Sequence, residues 1–189
     1  YLNSTSKIDA DDIINYIRGE ESAAMRNRTI DFDGDGTEEV MLLGDIVNST
    51  PTSVSVPAEA FDQLYGDSSY ADFRLQYANR RKVIYVGAND GMLHAFNAGF
   101  FDPKTIEFKT SRSGEVAHPL GSELWSYVPG NLLPHLKWLT DINYSHVYYM
   151  DAKPRVFDAK IFTADATHPN GWGTVLVSGM RFGGGTMTV

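Results

Sequence analysis

The segment that most restricts this chain runs Val83-Ile84-Tyr85-Val86-Gly87, Ala88-Asn89-Asp90-Gly91, Met92-Leu93-His94-Ala95-Phe96. Two strand-like runs flank an Asp-Gly pair, whose glycine supplies the positive φ that a tight hairpin turn needs. Further strands are expected at 121–129, 145–151, 155–163 and 173–179. The apolar run 40–47 is expected to be a buried strand, with Gly44 marking a bulge or a close approach. Short strands in series, joined by turns and by loops of variable length, indicate an all-β meander. The 17 glycines and 10 tyrosines favour that reading over a helical bundle. The strand pairs around 83–96 and 146–162 resemble one another only loosely, which does not establish a repeat.

Helical signals cluster ahead of the strands. Residues 1–7 are polar. From Asp9 to Arg18 the residues Ile13, Ile14 and Ile17 fall at helical spacing, with Asp9 as N-cap and Gly19 as terminator. Residues 20–30 read as a charged linker or a second short helix. Residues 57–79, with Phe61, Leu64 and Tyr65 loosely spaced, predict a surface excursion containing one or two helical turns.

The formal charge of −8 is uneven. Ten of the 24 acidic side chains precede residue 41, against only four basic ones. This acidity argues against nucleic acid as a partner. The chain has no cysteine, so disulfides, thiolate metal sites, thiol catalysis and Fe–S clusters are excluded. No apolar run approaches the ~18–20 residues of a membrane span. A start at Tyr1 without an initiator Met, and an end inside an apolar stretch, suggest a piece of something larger.

Half of those ten acids lie in Asp31-Phe32-Asp33-Gly34-Asp35-Gly36-Thr37-Glu38-Glu39. Carboxylates at loop positions 1, 3 and 5 followed by glycine match the opening of a calcium loop, because alternate side chains converge and glycine lets the backbone turn. The loop departs from the EF-hand at position 12, where Leu42 stands in place of glutamate. The expected ligands are therefore the side chains of Asp31, Asp33, Asp35 and Glu39 with the Thr37 carbonyl, and Glu38 should point away. Hard oxygen donors without His or Cys select Ca2+. A solvated acidic turn is the simpler alternative, but a plain turn has no reason to tolerate five mutually repelling carboxylates.

No catalytic constellation stands out. The five histidines form neither HxH nor HExxH, and there is no GxSxG motif or P-loop lysine. His94 reads as a satisfied structural histidine within a strand, and His146 among Tyr144, Tyr148 and Tyr149 reads as packing or a strand hydrogen bond. The chain is expected not to be an enzyme.

Several segments together resemble the PilY1/PilC family of type IV pilus biogenesis factors and tip adhesins. The strongest are Gly44-Asp45-Ile46-Val47-Asn48-Ser49-Thr50-Pro51 and Tyr85 through Phe96. Asn15-Tyr16-Ile17-Arg18-Gly19, residues 121–129, Leu132-Leu133-Pro134 and Trp172 through Gly179 support them. The resemblance implies a partial (modified) β-propeller of short antiparallel strands with one or two short N-terminal helices. It divides the chain into 1–39, the helix and acidic calcium loop, and 40–189, the blades of an incomplete domain. It further implies an exported protein, reaching from the periplasm to the outer surface or pilus tip of a Gram-negative bacterium and supporting pilus extension and attachment. Implied partners are pilin subunits or minor pilins, the remaining blades or another copy, and a host or surface ligand. The family's regulatory Asp-rich loop lies further toward the C-terminus, which would make 31–39 an additional site. Residues 85–96 with Glu123-Leu124-Trp125 are also similar to the repeat of quinoprotein dehydrogenase propellers, which use PQQ and Ca2+. Those enzymes commonly carry a vicinal cysteine pair, absent here, so the similarity is read as shared blade architecture.

Overall fold

The structure is a computed structural model that describes residues 9–184 and 187–188. The polar 1–7 segment lies outside the described residues. Among the described residues the regular structure is mostly short strands in antiparallel sheets, with few short helices and no closed barrel.

The expected hairpin forms. Strands β4 (Lys82–Gly87) and β5 (Leu93–Asp102) pair antiparallel, with Tyr85 opposite Ala95 and Val86 opposite His94. Gly91 closes the turn at φ +92°, where a side chain would be strained. Strand β3 (Thr52–Val54) takes the free edge of β4. On the other side, β5 pairs with β6 (Glu107–Lys109) at its far end and with β7 (Glu123–Tyr127) at its near end. A second sheet joins β8 (Arg155–Lys160), β9 (Trp172–Gly179) and β10 (Met187–Thr188). The longest strand pairs are β4–β5 and β8–β9, and residues 146–151 take no part in the second.

Two expected strands are absent. Residues 41–47 are irregular and leave Met41, Leu42, Leu43, Ile46 and Val47 exposed. The reason is topological: β3 already occupies the edge of β4, and the 41–47 run instead crosses the 89–91 turn. Gly44 approaches that turn so closely that a Cβ would collide with the Asp90 backbone, so the close-approach reading holds. Residues 145–151 are also irregular. Isolated bonds hold them, Tyr149 N–H to Asn89 Oδ1 at 3.0 Å and Met150 N–H to the Ala88 carbonyl at 3.3 Å, so no ladder develops.

The helices follow local signals. α1 (Ala10–Ile17) begins with a capping box in which Asp9 and Asp12 each accept the other's backbone N–H. It buries Ile13 and Tyr16, leaving Ile14 exposed. The 57–79 excursion contains α2 (Phe61–Leu64) and α3 (Ser68–Gln76), the latter capped by Asp67. One core gathers Tyr16 and Met25 with Leu93, Leu132, Leu136, Leu139, Tyr149, Met150 and Met180. The N-terminal helix therefore packs into the same core as the first sheet. A second cluster sets Tyr70 and Phe73 of α3 against Trp172 of β9.

Candidate metal centre

The acidic loop sits at the tip of a two-stranded hairpin of β1 (Thr29–Ile30) and β2 (Glu39–Val40), in which Ile30 faces Glu39. The expected division at 39/40 falls inside β2. The loop folds by its own side chains. Asp31 accepts the N–H groups of Gly34 at 2.7 Å and Gly36 at 3.0 Å. Asp33 accepts from Asp35 at 3.1 Å and Asp35 from Thr37 at 2.7 Å. These are Asx turns, and the glycines allow them by adopting φ +77° and +89°.

The structure brings together three of the four expected carboxylates. One oxygen from each of Asp31, Asp33 and Asp35 lies within 4.8 Å of the others, and all three residues are exposed. Glu39 lies outside that set. Its Oε2 is buried and has no hydrogen-bond partner among the described residues. Thr37 follows Asp35 after Gly36 and donates its N–H to the Asp35 carboxylate. Glu38 accepts from the Thr29 hydroxyl at 2.8 Å. Second oxygens on Asp33 and Asp35 take no hydrogen bond among the described residues, so the loop keeps lone pairs for a cation. Three converging carboxylates fit a hard divalent ion, and Glu39 adds a buried carboxylate oxygen without a partner among the described residues.

A second polar centre escaped sequence reasoning. Asp90 is 7% exposed and accepts the Gly44 N–H at 2.8 Å and the Met92 N–H at 3.0 Å. His94, 5% exposed, sets Nε2 3.0 Å from Asp90 and Nδ1 2.6 Å from Glu123 of β7. Asp151 accepts the backbone N–H and the side-chain amide of Asn48 at 3.0 and 2.7 Å. The Gly87 N–H donates to Ser49 Oγ. The 44–51 segment is therefore pinned by the side chains of Asp90 and Asp151 and by the Gly87 N–H, and Asp90 is held in turn by His94. It is the satisfied structural histidine expected there.

Burial alone would lower the His94 pKa, but the hydrogen bond and charge of Asp90, then those of Glu123, raise it above the usual value. A raised folded-state pKa gives stability that is complete below the unfolded value of about 6.5 and is lost as pH rises through the folded value. The urea midpoint should therefore fall as pH rises above about 6.5, and His94→Gln should flatten that fall. Identical profiles for parent and variant would show that His94 does not carry it.

An open assembly of antiparallel meander sheets, with a loop of converging carboxylates ahead of it, is of the propeller-domain class. The PilY1 beta-propeller domain family model matches residues 43–188, and the chain belongs to that family. A type IV pilus biogenesis factor PilY1 homolog of Xylella fastidiosa is 36% identical over 180 residues, covering 90% of this chain and 12% of the relative. A second homolog from that organism is 30% identical over 96% of this chain and 11% of the relative. The type IV pilus biogenesis factor PilY1 of Pseudomonas aeruginosa is 30% identical over 90% of this chain and 12% of its own length. The chain thus spans roughly an eighth of these relatives. No solved structure matches it. These relatives are named as pilus factors, so the quinoprotein similarity of 85–96 receives no support. The acidic loop precedes the residues that the family model matches.

Proposed function

We propose that this chain is a calcium-binding partial β-propeller of a type IV pilus biogenesis factor, acting outside the cytoplasm in pilus extension and surface attachment. The observation that carries the pilus assignment is the relationship to factors of that name across nearly the whole chain. Among the described residues no helix is long and apolar enough to cross a membrane. In the propeller reading, β3, β4, β5 and β7 supply one four-stranded blade and β8–β10 begin the next. The open sheet edges then suit further blades of the same protein, or another copy, and pilin or minor pilin subunits and a surface ligand are the outer partners. The role is structural and adhesive, not enzymatic.

Calcium binding rests on the convergence of Asp31, Asp33 and Asp35, and Glu39, whose buried Oε2 lacks a partner among the described residues, is the fourth carboxylate of this reading. In this reading the three aspartates, the Thr37 carbonyl and Glu39 hold the ion, which offsets the repulsion between their charges. Glu39 belongs to β2, so its ligation would tie the loop to the hairpin that carries it. Bound Ca2+ should raise the thermal midpoint, since a ligand at a hundred times its Kd stabilises by about 2.7 kcal/mol. For a chain of this size that is a shift of about 5–11 °C. Chelator should reverse the shift and Asp31→Ala should abolish it. A midpoint indifferent to Ca2+ would contradict the site and leave the pilus assignment standing. Unimpaired piliation and twitching after deletion of the gene would contradict the pilus assignment.

A further inference from the structure

The tripeptide Arg80-Arg81-Lys82 leads into β4. Strand alternation separates its side chains. Arg81 lies 4.5 Å over the Phe100 ring and donates to Asn97 and the Val116 carbonyl. Lys82 lies on the opposite face, 5.1 Å from the centroid of Phe108. Phe108 packs at 5.5 Å against its ladder partner Phe101. Arg112 reaches the same place and donates to the Asn79 carbonyl at 2.9 Å. Arg80 forms the floor, bonded to the Ser55 carbonyl and the Thr174 hydroxyl.

These side chains line a groove of about 460 Å³ that contains no carboxylate. Among the described residues, none of Arg80, Lys82 and Arg112 forms an ion pair. On a chain of net charge −8 this is a local reversal of sign. Such a reversal steers an anionic partner and disfavours a cationic one. Phe101 and Phe108 remain 53% and 42% exposed, so an apolar group entering the groove would gain by covering them. Strand β6, which carries Phe108, is the outer strand of its sheet. Its open edge offers backbone groups to an extended chain, which favours a peptide over a saccharide.

We propose that this groove docks an acidic peptide segment bearing a large aromatic or aliphatic residue, presented by a partner protein. The apolar residue covers the Phe101–Phe108 pair, while its flanking carboxylates meet Lys82 and Arg112. The groove is remote in sequence from the acidic loop, and its test is run in chelator so that calcium plays no part.

The probe is a fluorescently labelled peptide of glutamates around a central phenylalanine, titrated with the chain and followed by anisotropy. Controls replace the glutamates by lysines or the phenylalanine by serine, and a sulfated oligosaccharide serves as competitor. Binding should weaken with added salt and fall about tenfold or more in the Lys82→Glu/Arg112→Glu double variant. Phe108→Ala should weaken it without altering the salt dependence. Circular dichroism establishes that each variant is folded. Arg18→Glu, with its charge reversed elsewhere, should bind as the parent does. Absence of binding, equal binding of the lysine peptide, an unchanged double variant, or tighter binding of the sulfated oligosaccharide would each overturn the proposal.

Discussion

Asp90→Ala is expected to cost about 3–5 kcal/mol, because each backbone donor left without its acceptor costs about 1–3 kcal/mol and the His94 contact is lost as well. The carboxylate does three things at once. It accepts the Gly44 and Met92 N–H groups and faces the His94 ring. Removing it strands two part-buried donors and leaves the His94 ring with Glu123 as its remaining carboxylate. It also releases the 44–51 segment from the turn that this segment crosses. Asp90→Asn, which keeps an acceptor but loses the charge, should cost less. It should also reduce the pH dependence assigned to His94. Urea unfolding with unchanged m-values is the appropriate measurement. A loss below about 1 kcal/mol for Asp90→Ala would show that the segment is held by something else.

Trp172→Ala should have an effect of similar size through packing. Its indole stacks on Phe61 at 5.3 Å and meets Tyr70 edge-on at 4.8 Å, while Nε1 donates to Ser69 Oγ at 2.9 Å. It is the contact that fastens α2 and α3 to β9. Large-to-small changes of this kind cost about 3–5 kcal/mol. The expected fall in melting temperature is about 6–20 °C. Trp172→Phe retains most of the ring contact and loses the hydrogen bond, so its fall should be much smaller. Equal falls would mean that the hydrogen bond, and not the packing, fastens the helices.

What could be read from the sequence was what the chain encodes locally. The 83–96 hairpin was legible because the turn glycine and both strands lie within fourteen residues. α1 was legible because its cap and its apolar face lie within ten, although Tyr16, not Ile14, completes that face. The acidic loop was legible for the same reason, and its three aspartates do converge. Glu39 was harder to place, because its position depends on the pairing of β2 with β1. Residues 41–47 and 145–151 carry strand-like composition, yet backbone groups of both are satisfied by Ala88, Asn89 and Asp90, far along the chain. No periodicity reports such partners. The His94–Glu123 contact spans 29 residues, and the cationic groove is assembled from separate elements. Both required the fold.

The proposed function turns on whether the loop at 31–39 holds a calcium ion. Its most direct test is calorimetric titration of Ca2+ into the chelator-treated chain. A single ion per chain is expected, lost in Asp33→Ala, weakened in Glu39→Gln and retained in Glu38→Gln, since the Glu38 side chain is engaged by Thr29. No saturable binding, or binding that survives Asp33→Ala undiminished, would contradict it.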